Sequence, residues 1–171
     1  MSLVLGIDPG KKGGWVIAGD RHDSERMPLT TDGEIDVAFF SELICSNNFD
    51  LIVIEKVVVA AQWKKGNGEV FKMGANSSFK FGRDYGMLLG VVRAFHQAHA
   101  LVAPGSWKTK VLGARNADKA DAIRFVTREM PWVDLAPGRC KKAQDGIADA
   151  ACLAQWGLWK VQMNQPLAAN F

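Results

Sequence analysis

Five consecutive residues, Leu51-Ile52-Val53-Ile54-Glu55, restrict the fold of this chain more than any others. Four apolar side chains in a row, three of them β-branched, are too few for a buried helix and suit a strand in the middle of a sheet covered on both faces. The run ends on a carboxylate. A second apolar run, Leu3-Val4-Leu5-Gly6-Ile7, also ends on an acid, Asp8, and Pro9-Gly10 then turns the backbone away. A third segment, from Asp145 through Asp149 to Ala154, sets two acids among Ile147, Ala148, Ala150, Ala151, Cys152 and Leu153. Burying an unpaired carboxylate is costly, and a shared cation is the simplest remedy.

Around these runs the chain reads as α/β. Residues 2–8, 13–18 and 23–27 read as strands, the last two joined by a turn at Gly19-Asp20, which makes an antiparallel meander. Helices are expected over 35–44, from Ser77 or Ser78 to about Gln97, and near 106–112, 117–130 and 144–159. Strands at 51–55 and 100–103 complete a mixed five-stranded sheet flanked by helices. Residues 56–76 show no clear period and are rich in Lys and Gly; a loop this long in a small domain is usually functional or disordered. With 171 residues, 48% of them hydrophobic, the chain has enough material for one buried core and too little for two. One domain over residues 1–159 is expected, with a loose Gln/Asn/Pro/Ala-rich tail over 160–171. The three cysteines have no metal or redox spacing, and no apolar run reaches membrane length. A reduced, cytoplasmic protein without a membrane partner is the expectation.

Net charge is only +3, but it is unevenly spread. Residues 1–55 carry four Lys/Arg against ten Asp/Glu, and residues 56–171 carry seventeen against eight. The basic residues between Lys56 and Arg128 include Lys64, Lys65, Lys72, Lys80, Arg83, Lys108, Lys110, Arg115 and Lys119. Singly they are ordinary solvated side chains; clustered, they suit a polyanion.

Each acid also has an ordinary reading. Asp8 fits a turn in which it bonds its own backbone, Glu55 a strand end or a pair with Lys56, and Asp145 a helix cap. Asp149 is harder to explain so, because it follows Asp145 by four residues on one helix face. Like charges at that spacing destabilise a helix by about 0.2–0.5 kcal/mol. Taken together, acids at the carboxyl ends of central strands and on a closing helix mark the functional edge of an open α/β sheet. Four carboxylates without His or Cys partners favour Mg2+ or Mn2+, and a pair of such ions suits attack of water on a phosphodiester.

Four segments carry a resemblance to a known family. Gly6-Ile7-Asp8-Pro9-Gly10, Ile54-Glu55-Lys56-Val57, the stretch from Pro104 through Lys108 and Gly113 to Lys119, and Asp145-Gly146-Ile147-Ala148-Asp149-Ala150 resemble, in order and spacing, the RuvC-type Holliday junction resolvases of the RNase H-like superfamily. The likeness spans residues 2 to 158. Residues 73–86 are most similar to members encoded by phages and prophages.

The resemblance implies an RNase H-like fold and a homodimer that grips a four-way DNA junction. It implies symmetric nicks in two strands, leaving 5'-phosphate and 3'-hydroxyl ends. By position, Asp8, Glu55, Asp145 and Asp149 would ligate two Mg2+, for which Mn2+ may substitute, while Lys108 and Lys119 fall near the cleaved phosphate. For Lys119 the reading as a plain exposed helix residue stands equally. The last acid pair is spaced by four here and by three in the cellular enzymes, which leaves open whether Asp145 or Asp149 is the closer ligand. The cellular enzymes also carry an aromatic residue where this chain has Val58, so Trp63 or Phe71 becomes the candidate for stacking at the opened crossover. Phe79 is expected to face the core. The helix over 79–97, through Met87, Leu88, Val91 and Phe95, is the expected dimer surface unless these side chains pack internally. Other classes consistent with the residues are a phage nuclease acting on forks and flaps and a catalytically weak junction-binding protein. A sugar-kinase or actin-like ATPase needs two related domains, for which the chain is too short.

Overall fold

The computed structural model describes residues 2–57, 63–64, 70–71 and 74–163. In chain order the elements are β1 (Leu3–Asp8), β2 (Gly14–Gly19), β3 (Asp23–Arg26), α1 (Val37–Cys45), β4 (Leu51–Glu55), β5 (Trp63–Lys64), β6 (Val70–Phe71), α2 (Ala75–Ala94), β7 (His99–Val102), α3 (Pro104–Leu112), α4 (Lys119–Glu129) and α5 (Asp145–Gln162). The main sheet has the order β3-β2-β1-β4-β7. Its first three strands are antiparallel, and β4 and β7 join parallel to β1 and to each other. The expected meander and the central position of Leu51–Glu55 are both present. β5 and β6 form a separate two-stranded ladder with Trp63 opposite Phe71.

Alternation along the central strands decides which way the acids face. Val4, Leu51 and Val53 pack on one side with Trp107, Ile147, Ala150 and Leu153. Leu5, Ile7, Ile52 and Ile54 pack on the other with Phe40 and Ile44 of α1 and Leu88 and Val92 of α2. Because successive side chains of a strand point to opposite faces, Asp8 and Glu55 emerge on the α5 side. The register pairs Ile7 with Ile54, so one step further sets Asp8 beside Glu55, one interstrand spacing of about 4.8 Å away.

Small residues let α5 approach the sheet. A Cβ on Gly6 would lie 2.2 Å from the Ala150 carbonyl oxygen, and one on Gly146 would lie 2.2 Å from the Lys12 carbonyl oxygen and 2.4 Å from the Gly13 Cα. A parallel bridge between Gly13 and Gly146 ties the turn after Asp8 to the start of α5. Gly146→Ala is therefore expected to lower stability by about 1–3 kcal/mol, the usual cost of overpacking, as a lower midpoint in urea unfolding. An unchanged midpoint would mean that helix and turn part freely.

Several boundaries differ from expectation for local reasons. α2 begins at Ala75 with Gly74 at its cap and no side-chain cap, two or three residues before the serines. α4 begins at Lys119, after a reciprocal capping box between Asp118 and Asp121. α5 runs through Lys160 to Gln162, so residues 160–162, expected in the tail, are helical; residues 164–171 lie outside the described ones. Among the described residues no helix is long and apolar enough to cross a membrane.

Candidate active site

Asp8 stands at the end of β1, where the Gly10 N–H donates to its Oδ1 at 3.4 Å. The turn in which Asp8 bonds its own backbone is therefore present. Burial pushes its carboxyl up to about 6, with repulsion from Asp145 adding to it, against the pull of the Gly10 N–H and Lys119. Glu55 is pushed up to about 7 by burial and then by the charges of Asp8 and Asp149, with Lys108 and the Trp107 indole opposing. Asp149 likewise rises to about 7, from burial first, then Asp8, with Lys108 opposing. Three carboxyls that penalise one another's ionisation form a single site in which charge is suppressed.

Asp145 is not the cap of α5. Gln144 occupies that position, and Asp145 lies in the first turn, where the helix dipole favours an anion. Lys119 from the start of α4 donates to Asp145 Oδ2 and is itself exposed, and its ammonium is held in the charged form by that bond. Lys108, on α3, donates from Nζ to the Ala117 carbonyl at 2.9 Å and lies 5.5 Å from the centre of the Trp107 ring. The positive charge of Lys108 favours the ionised forms of Glu55 and Asp149, and that of Lys119 the ionised form of Asp8.

Among the described residues no three acidic, histidine or cysteine side chains are drawn together closely enough to hold a metal ion as they stand. The donor set is nonetheless all oxygen and suits a hard divalent cation. Its half-buried carboxylates repel one another, an arrangement that such a cation would relieve.

No protein-family model and no curated protein sequence matches the chain. Solved structures do. A Thermus thermophilus RuvC superposes with a TM-score of 0.61 at 17% identity, covering 95% of this chain and 96% of that one. A T. thermophilus RuvC in complex with a Holliday junction substrate superposes with a TM-score of 0.64 at 17% identity, covering 96% and 97%. The chain has the RuvC fold.

On this RuvC fold the expected DNA-binding residues are distributed unequally. Lys80 is exposed on α2 and lines a cleft of about 440 Å³ with Gly10, Lys11, Lys12, Ser77 and Phe81, directly beside the Asp8 turn. Arg83 is engaged elsewhere, in ion pairs with Glu34 at 2.5 Å and Asp84 at 2.9 Å. Lys110 is exposed and sits 6.0 Å from the Trp159 ring centre, and Arg115 packs over Gly105. Lys65, Lys72 and Val58 lie outside the described residues; for Trp63, Lys64 and Phe71 only the backbone is described. Phe79 does not face the core: it is 69% exposed on the first turns of α2. Of the expected dimer face, Leu88 is buried in the core, whereas Met87 and Phe95 are exposed.

Sequence reasoning did not single out Lys11 and Lys12, although their place after Asp8-Pro9-Gly10 was a signal. Nor did it find Asp84, which is buried at 2% exposure and faces Lys11 at 3.8 Å, because an acid inside the apolar stripe of α2 has no local signature. Lys11 also donates to the Gly33 carbonyl, so Asp84 and Lys11 together tie the turn after Asp8 to α2 and to the loop before α1.

Proposed function

We propose that this protein is a structure-specific DNA endonuclease that resolves four-way junctions by paired, metal-assisted nicks. One observation carries the reading: Asp8 and Glu55 end adjacent parallel strands on the face covered by α5, whose Asp145 and Asp149 bear on them electrostatically, with Lys108 and Lys119 beside these acids. The fold shared with a RuvC bound to a Holliday junction supports the substrate class.

Asp8, Glu55, Asp145 and Asp149 would hold two Mg2+, or Mn2+ in their place, which when bound supply Lewis acidity and lower the pKa of the attacking water. Lys108, anchored on a backbone carbonyl, and Lys119, paired with Asp145, bring positive charge to oppose what builds up on the phosphate oxygens in the transition state. Water adds at phosphorus and the 3' oxygen departs, leaving a 5'-phosphate and a 3'-hydroxyl. Lys11, Lys12, Lys80, Lys110 and Arg115 supply backbone contacts, which position a duplex without reading its sequence. Two copies of the chain give one site for each of the two strands, and the exposed Met87 and Phe95 of α2 support that helix as their contact.

The test compares labelled four-way junctions, forks, flaps and linear duplex in Mg2+. Cleavage of junctions at least tenfold faster than duplex, at paired positions in opposed strands, is expected. Equal rates on flaps and junctions would favour a general debranching nuclease, and tight binding with no cutting in Mn2+ a binding protein.

A further inference from the structure

The loop that leads into α5, from Leu135 to Gln144, carries three cations, Arg139, Lys141 and Lys142, and no acid. All three are exposed, and among the described residues none of them has an acidic partner. Arg124 and Arg128 on α4, by contrast, pair with Asp121 and Glu129. The backbone beneath the three cations is fixed. The Gln144 N–H donates to the Leu135 carbonyl at 2.7 Å, its side-chain amide to the Lys142 carbonyl at 2.7 Å, and the Cys140 N–H to the Pro137 carbonyl at 3.3 Å. Pro137 is buried, Leu135 packs against the core on the α5 side, and Gly138 closes the turn at a φ of 66°, which favours glycine. Like charges on so defined a turn are arranged in advance, and a preorganised site loses less freedom when it binds.

The place of the loop follows from its end. Gln144 caps α5 and Asp145 comes next, so at about 3.6 Å per residue the Lys142 Cα lies within about 11 Å of the Asp145 Cα. Leu135 keeps the loop on the α5 face of the sheet. Lys11, Lys12 and Lys80 line the cleft beside the Asp8 turn and α2, and α2 packs Leu88 and Val92 on the opposite face. The acids therefore lie between two groups of cations, one carried on each side of the sheet. We propose that Arg139, Lys141 and Lys142 form a second phosphate-binding segment, which grips the backbone of a duplex arm on the α5 side of the cut while Lys11, Lys12 and Lys80 grip it on the α2 side. The inference deepens the proposed function and rests on its DNA-binding half alone. A backbone grip carries no sequence information, so it acts alike on a junction and on a linear duplex.

The experiment follows the fluorescence anisotropy of a labelled four-way junction and of a labelled linear duplex, in chelator, over a series of KCl concentrations. Each phosphate neutralised adds about 0.9 to the slope of log affinity against log salt. The full chain carrying Arg139→Gln, Lys141→Gln and Lys142→Gln together is expected to lose about two to three from that slope on both DNAs, and to bind at least about tenfold more weakly at about 0.1 M salt. A control chain loses the same net charge elsewhere, through Arg21→Gln, Arg124→Gln and Arg128→Gln, three exposed arginines already paired with acids. It is expected to keep the wild-type slope. A wild-type slope in the loop variant, or an equal loss in the control, overturns the proposal. A loss confined to the junction overturns the backbone grip. A wild-type chain that binds DNA but cuts none in Mg2+ sinks the nuclease reading, and the slopes still decide the loop; one that binds no DNA overturns both.

Discussion

Asp149→Asn is expected to raise the stability of the metal-free protein at pH 8 while abolishing its chemistry. Burial and the Asp8 charge push the Asp149 carboxyl up to about 7, so at pH 8 the folded protein holds an anion that it disfavours. A shift of that size corresponds to about 4 kcal/mol at most, at about 1.4 kcal/mol per pKa unit. The amide brings donors that also need partners, at about 1–3 kcal/mol if left unsatisfied. A net gain of about 1–2 kcal/mol is expected, or roughly 2–8 °C in melting temperature for a chain of this size. Differential scanning calorimetry in chelator measures it. A residue that only supports the fold loses stability when changed; one that stores repulsion for a ligand gains it. A melting temperature below that of the wild type would remove Asp149 from the second class.

The second large effect is the pH dependence of stability. Asp8 titrates near 6, and Glu55 and Asp149 near 7, in the folded protein, all above their ordinary values. Between about pH 4 and pH 7 the folded state therefore binds more protons than the unfolded state. Stability from these groups is complete below their unfolded pKa and is lost as pH rises through 6 to 7. The carboxyls are coupled, so their losses do not simply add. A fall of about 3 kcal/mol between pH 5 and pH 8 is expected in metal-free buffer, read as the shift in urea midpoint. Mg2+ is expected to reverse it, because a ligand that binds only the folded state at a hundred times its Kd adds about 2.7 kcal/mol, and these acids bind cations when ionised. Metal-free stability that is flat or rises over this range would contradict the electrostatics of the site. Below pH 4 other groups take over, Asp121 among them, whose carboxyl is held low by the Asp118 N–H and by Arg124.

The sheet and the acids on it were legible because they depend on short-range rules. Two apolar runs that each end on an acid, Leu3–Asp8 and Leu51–Glu55, are enough to place both carboxylates at strand ends, while the face they share follows from the register of β1 with β4 and the packing of Val4, Leu51 and Val53. An acid such as Asp149 amid an apolar helix is conspicuous without any fold. α2 was read less well. Its apolar stripe of Phe81, Tyr85, Leu88, Leu89, Val92 and Phe95 includes Leu88 and Val92, which are buried, but the third buried position is Asp84 and Phe95 is exposed. Arg83 beside it and Lys11 from a turn more than seventy residues earlier together offset the charge of an acid there. The engagement of Arg83 by Glu34 is non-local in the same way. The close seat of α5 depends on Gly6, Gly146 and Ala150 meeting across two elements, which no single window of sequence displays.

The most direct measurement is cleavage of an end-labelled synthetic four-way junction by the wild-type chain and by Asp8→Asn, each in Mg2+ and in chelator. Asp8 stands beside Glu55 and feels Asp145 and Lys119, and losing several kcal/mol of charge stabilisation there corresponds to about a thousandfold in rate. The wild type is predicted to nick the junction in Mg2+ and to leave it whole in chelator, while Asp8→Asn still binds the junction and leaves it uncut in both. Equal cutting by Asp8→Asn, or equal cutting by the wild type in chelator, would contradict the account.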